Sequence, residues 1–299
     1  MTTRRFPIIS KYYWIYFVIS LLIIIPGVIS LALFRLRPGI DFVGGTILEF
    51  STATSSAHLQ KSDIGEIIGP NPEIVGFDAT GPNLYSLHLP ALSDESRGSL
   101  IATLSAHVQG YKERSLSSVG PLIGQELIQK TAVAMILAAF LIAVYLAFRF
   151  QSFEYGVSAV VATLHDVVVL LGVFSLLGHF WGVQVDTLFV TALLTIASFS
   201  VHDTVVVYDR IRERKKKVLR EPMSETIDAS VFETLTRSLR NSLAVVIVLL
   251  SLFLLGGETT RWFAFALLIG TITGTYSSTF VALPLLIVWE KIRARGKRV

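Results

Sequence analysis

Apolar positions run along this chain in two distinct patterns. Six blocks are almost wholly apolar: Tyr12–Phe34, Thr131–Phe148, Tyr155–Leu177, Val183–Tyr208, Leu239–Gly256 and Trp262–Trp289. A helix needs about 20 residues to cross the hydrocarbon core of a bilayer, so each block predicts a transmembrane helix. The first block exceeds the length of a signal-peptide core and no small-residue cleavage site follows it, so it also reads as a span. Between the first and second blocks the period changes. Thr46–Ser51, Glu73–Ala79, Leu84–Leu89 and Tyr111–Val119 are strand-like, while Ser55–Ile68 and Asp94–Val108 are helix-like. Pro70, Pro72, Gly81-Pro82 and Pro90 punctuate the joins. The resulting β-α-β-β-α-β order predicts a small α+β ferredoxin-like domain inserted into a six-helix, all-α membrane bundle. The expected divisions are 1–34 for the N-terminus and first span, 35–130 for the insert, 131–290 for spans two to six and 291–299 for a basic tail.

Composition fits this division. Of 299 residues, 52% are hydrophobic and only 16% charged, against about 25% in a soluble domain. There is no cysteine, so disulfides and thiolate metal sites are excluded, and the six histidines show no metal-ligand spacing. The net charge of +4 would point to nucleic acid only if the bases formed a patch on a soluble domain. They flank the apolar blocks instead. Arg4, Arg5 and Lys11, Arg149, the run Arg210, Arg212, Arg214, Lys215, Lys216, Lys217 and Arg220, and the tail with Lys291, Arg293, Arg295, Lys297 and Arg298 all fall on one side. The loops on the other side, Gly178–Gly182 and Gly257–Arg261, hold only Arg261. The excess of bases on cytoplasmic loops therefore predicts cytoplasmic termini and an extracytoplasmic insert. His58, His88 and His107 in the insert read as ordinary surface or core residues.

Ionisable groups inside a span are costly, about 2.5–3.5 kcal/mol at the bilayer centre, and by default mark function. The third block carries His165-Asp166 and the fourth carries His202-Asp203. For Asp203 the bland alternative is a solvated carboxylate at the helix end; for Asp166 it is a structural hydrogen bond to a neighbouring helix. The purely apolar part of the fifth block, Leu243–Leu255, is too short to cross. That helix must recruit the polar turn Arg237, Ser238, Arg240, Asn241 and Ser242, in which Arg237 and Asn241 share a face. Arg237 is thus a candidate partner for Asp203, unless it is an interfacial anchor, as Arg240 is expected to be. Gly270 and Gly274, with Ser277 and Ser278, suit close helix packing in the sixth block. Pro284 predicts a kink there.

Three stretches resemble one family. They are Pro38-Gly-Ile-Asp-Phe-Val-Gly-Gly45 after the first span, Asp203-Thr-Val-Val-Val-Tyr-Asp-Arg-Ile-Arg-Glu213 in the fourth, and Gly270-Thr-Ile-Thr-Gly-Thr-Tyr-Ser-Ser278 in the sixth. With Leu164-His165-Asp166 and Leu235-Thr-Arg-Ser238 they are similar to the SecD/SecF protein-export membrane proteins, in order along the chain. The resemblance implies half of an RND-like twelve-helix assembly, completed by the six-span partner SecD. It implies work with the SecYEG translocation channel on exported, unfolded polypeptides, driven by protons, in a bacterial cytoplasmic membrane. Asp203 is then the proton carrier, and Asp166, Arg237, Thr204 and His202 complete the expected relay. Asp41, Gly44 and Gly45 are expected to couple the insert to the membrane, the plainer alternative being a tight turn. The sequence departs from the family at His202, where Asn is usual, and at Arg237-Ser-Leu-Arg-Asn-Ser242, where Arg-Thr-Leu-Asn-Thr-Ser is usual. No nucleophile–base pair, phosphate loop or metal set appears, so neither enzyme chemistry nor a cofactor is expected. Two other readings remain at this stage: half of an RND-type exporter of small molecules or lipids, and a scaffold whose charges only orient it.

Overall fold

The structure is a computed structural model that describes residues 9–53, 59–69, 72–81, 83–218 and 221–296. Arg4, Arg5, His58, Pro70, Pro82, Arg220, Lys297 and Arg298, with the predicted helical start at Ser55, lie outside the described residues. The chain forms two compact units, residues 38–132 and the remainder.

The smaller unit opens with a four-residue helix, α2 (Ile40–Val43), after the membrane helix α1 (Ile9–Phe34). It continues as β1 (Gly45–Ser51), α3 (Lys61–Ile68), β2 (Gly76–Gly81), β3 (Leu84–Leu89), α4 (Asp94–His107) and β4 (Lys112–Val119). The sheet order is β2-β3-β1-β4 with every pair antiparallel, which is the ferredoxin-like arrangement. Alternation explains its core. Leu48 and Phe50 of β1 and Tyr85, Leu87 and Leu89 of β3 point to one face, where they bury against Ile64 of α3 and Leu100 and Leu104 of α4. Helix α3 starts at Lys61 because Gln60 and Asp63 form a reciprocal cap, with Gln60 N donating to Asp63 Oδ2 at 2.8 Å. Ser93 caps α4. The second strand begins later than its apolar run suggests; its ladder is entered through Val75, whose N–H reaches His88 O at 2.9 Å. Of the insert histidines, His107 is exposed and bonds Thr103 O through Nδ1, and His88 is half-buried beside Ser86.

The second unit contains α1 and most of α5 (Pro121–Phe150), followed by α6 (Phe153–Trp181), α7 (Thr187–Lys217), α8 (Met223–Leu255), α9 (Glu258–Phe280) and α10 (Ala282–Gly296). Among the described residues six helices are long and apolar enough to cross a membrane, the last formed by α9 and α10 together. Burial sorts them. The apolar window of the α9–α10 span is 61% buried and that of α6 56%, whereas α5 is 6% buried. The central helices therefore meet protein, and α5 meets whatever surrounds the bundle. Side chains such as Leu22, Ile136 and Leu255 face outward, as helices dissolved in lipid require.

Two helix boundaries differ from the apolar pattern for physical reasons. The fourth membrane helix starts at Thr187, after Val183–Asp186, because Asp186 caps it by accepting the N–H of Phe189 at 2.8 Å. The last span breaks at Val281, three residues before Pro284. Proline supplies no N–H to the carbonyl four residues back, so the helix restarts with Pro284 in its first turn.

Candidate functional site

Three helices converge on Asp166. It lies near the middle of α6 and is fully buried. Its Oδ2 accepts the hydroxyl of Ser200 from α7 at 2.6 Å and that of Ser277 from α9 at 2.6 Å. Its Oδ1 shares a hydrogen bond with Nδ1 of His165 at 3.0 Å. Small residues permit this approach. A Cβ on Gly270 would sit 2.2 Å from the Ile196 side chain, and one on Gly274 would sit 3.3 Å from Ser200 Cβ. The GxxxG spacing thus sets α9 against α7 where the two serines reach one carboxylate oxygen. Ser277, expected only to pack, is a ligand of Asp166. Ser278 is buried and bonds Thr275 O.

Asp203 lies one turn below Ser200 on α7 and is 4% exposed. Its Oδ2 accepts the hydroxyl of Ser238 on α8 at 2.8 Å. Thr204 is buried beside it and returns its hydroxyl to Ser200 O at 2.9 Å. Ser242, one turn beyond Ser238, lies 2.6 Å from Thr275 Oγ1 of α9. Hydroxyl groups therefore link the neighbourhoods of the two carboxylates through α7, α8 and α9.

Two members of the expected relay lie elsewhere. Arg237 and Asn241 share a face of α8, but it is the exposed one. Helical rotation of about 100° per residue turns Ser238 inward and Arg237 outward. Among the described residues Arg237 makes no ion pair, and the hydrogen bond from α8 to Asp203 comes from Ser238. His202 is likewise exposed, on the side of α7 away from the buried Asp203. The sequence pattern singled out Ser238 only as part of the polar turn, and gave no role to Ser200 or to the bond with His165. The available signal was spacing: Thr226, Ser230, Thr234, Ser238 and Ser242 recur every fourth residue of α8, and all five are buried.

Asp41, Gly44 and Gly45 stand together at the start of the insert. Asp41 is in α2, and Gly44 closes that helix with φ 78° and ψ 160°. Gly45 has φ 145°, and a Cβ there would meet Leu89 O at 3.0 Å. Both positions call for glycine on backbone grounds alone. No cluster of His, Cys, Asp and Glu suited to a metal occurs among the described residues.

A six-span bundle with buried carboxylates on its central helices and a ferredoxin-like insert after the first span defines an RND-like membrane half. Residues 100–292 match the family described as protein export membrane protein SecD/SecF, C-terminal, and residues 29–55 match the SecD/SecF GG motif. The chain belongs to the SecD/SecF family of protein-export membrane proteins. It is 40% identical to protein translocase subunit SecF of Thermobaculum terrenum, covering 94% of this chain and 93% of that one. It is 37% identical to that of Anaerolinea thermophila, covering 95% and 94%. The crystal structure of SecDF from Thermus thermophilus, described as translocon-associated, superposes with a TM-score of 0.83 at 30% identity. That match covers 96% of this chain and 39% of the SecDF chain, so this chain spans about two fifths of the fused protein.

Proposed function

We propose that this chain is a SecF subunit of the Sec translocase that couples proton entry to late steps of protein export. Its partner is a SecD chain, supplying what the fused SecDF chains carry beyond the region matched here. With SecD and the SecYEG channel it acts on exported, unfolded polypeptides at a bacterial cytoplasmic membrane, with both termini cytoplasmic. The observation that carries this reading is Asp203, a buried carboxylate within a span held by one neutral hydroxyl. Such a group is tolerated where its charge is used. One elementary charge moving through 100 mV releases about 2.3 kcal/mol, enough to bias two helix arrangements about fiftyfold. Charged Asp203 favours the Ser238 bond; neutral Asp203 releases α8. Asp41, Gly44 and Gly45 pass the movement to the insert.

The decisive variant is Asp203→Asn, which keeps size and hydrogen bonding but cannot change charge. It should insert and pair with its partner while losing gradient-stimulated translocation into membrane vesicles. Full stimulation by this variant would end the proton-carrier reading and leave a scaffold.

A further inference from the structure

Asp228 is a buried carboxylate that the relay does not use. It lies ten residues before Ser238 on α8, about 15 Å along the axis, and is 4% exposed. Its Oδ1 accepts the N–H of Ile9 at 2.8 Å and the N–H of Ser10 at 3.1 Å, and its Oδ2 accepts the Ser10 hydroxyl. Ile9 and Ser10 are the first described residues of α1, and among the described residues these two backbone donors have no partner inside their own helix. Asp228 therefore caps α1 from a distant part of the chain. The apolar neighbours reinforce the tie: Ile9 is fully buried in the core that contains Met223, Ile227 and Val231 of α8. The helical path of α1 is broken at Tyr12, so the capped residues form a turn of their own ahead of the long helix.

Farther along, α1 is fastened to α6. Gly27 meets Gly172, where an added Cβ on Gly172 would lie 2.5 Å from Gly27 Cα. Ser30 donates to Ser175 at 2.8 Å, and Ser175 donates to Arg35 O at 2.8 Å. The chain then enters the insert. Helix α8 thus holds Asp203 through Ser238 at one point and the start of α1 through Asp228 at another.

We infer that Asp228 is a positioning residue that makes the cytoplasmic end of α1 and helix α8 move as one body, so that release of α8 at Asp203 is carried into α1. The inference rests on the proton-carrier reading of Asp203. Its chemistry also predicts which substitution is harmless. An Asn at 228 can accept both N–H groups on its amide oxygen and donate its NH2 to the Ser10 hydroxyl, whereas Ala can do neither.

The chain has no cysteine, so the tie can be replaced by a covalent one in the double variant Ser10→Cys/Asp228→Cys, assayed with its partner and the channel in membrane vesicles. With the thiols reduced, gradient-stimulated export should fall about tenfold while gradient-independent export is unchanged. Oxidation of the same preparation should restore it to within about twofold of wild type. Asp228→Asn should keep the stimulation and Asp228→Ala should lose it. Inactivation of the protein by the disulfide would mean that α1 and α8 must separate, and would overturn the inference, as would full stimulation by reduced protein or by Asp228→Ala. An Asp203→Asn protein in parallel vesicles separates the two readings: if it retains stimulation, the proton-carrier reading itself has failed.

Discussion

Ser238 of α8 donates its hydroxyl to Asp203 of α7 at 2.8 Å, in a contact that both residues keep from solvent. The bond joins helices that pass the bilayer in opposite directions, and it is neutral-to-charged when Asp203 is ionised. Such bonds contribute about 1.5–3 kcal/mol, roughly the energy one proton gains in the membrane potential. A bond of this size can be made and broken by the gradient. An ion pair with arginine in the same place would be harder to break.

Ser238→Ala removes the donor and leaves Asp203 in place. Gradient-stimulated export should fall about ten- to a hundredfold, following the energy of the lost bond. Ser238→Thr keeps a hydroxyl on the same face and should export normally. The measurement is late translocation with and without a gradient. Equal activity of the Ala and Thr proteins would show that Ser238 is only a packing residue.

Much of this architecture was legible in the chain. Runs without charge marked the spans, period-two alternation marked the strand at Leu84–Leu89, and Thr46–Ser51 read as strand-like beside it. Asp166 and Asp203 stood out because few side chains cost more inside lipid. What did not read through is which face of a helix is inward. Arg237 and Ser238 are neighbours, and charge drew attention to the arginine. Rotation about α8 placed the serine against Asp203 instead. Serine and threonine carry no such warning, since the same hydroxyls satisfy backbone carbonyls throughout α8. The break at Val281 was readable only as a proline effect, and the short α2 had no periodicity to announce it.

Gly270 gives a packing test independent of protons. A methyl group there would meet the Ile196 side chain at 2.2 Å, too close for side-chain contact. Gly270→Ala should destabilise the bundle by about 1–3 kcal/mol through overpacking, read as a lower midpoint of thermal aggregation in detergent. Ile196→Ala in the same chain should restore most of the loss. An additive loss in the double variant would show that the two side chains do not compete for that space.

Gly44 separates a turn from a hinge. Its φ of 78° with ψ of 160° belongs to a region that only glycine visits readily. Gly44→Ala should cost about 1–3 kcal/mol and lower the yield of folded protein. If Gly44 also passes movement from the membrane to the insert, export per folded molecule should drop further, beyond the loss of yield. Proportional losses of yield and export would leave the tight turn as its whole role.

Asp166 is harder to test, because it also holds the bundle together. Asp166→Leu would remove the acceptor of the Ser200 hydroxyl and the partner of His165 Nδ1, and leave Ser277 only the longer bond to Gly274 O at 3.3 Å. Each buried donor left unpaired costs about 1–3 kcal/mol, so this variant should fail to fold or aggregate on solubilisation. Asp166→Asn offers a cleaner separation. Its amide oxygen can take both serine hydroxyls, and its NH2 group then faces His165 Nδ1. The imidazole can meet that donor by carrying its proton on Nε2, an atom with no hydrogen-bond partner among the described residues. The Asn protein should therefore reach membranes at near wild-type levels and keep its thermal midpoint. If Asp166 belongs to the relay, the same protein should lose gradient-stimulated export by at least about tenfold. Full stimulation together with normal stability would confine Asp166 to joining α6, α7 and α9, leaving Asp203 as the only carboxylate in the relay.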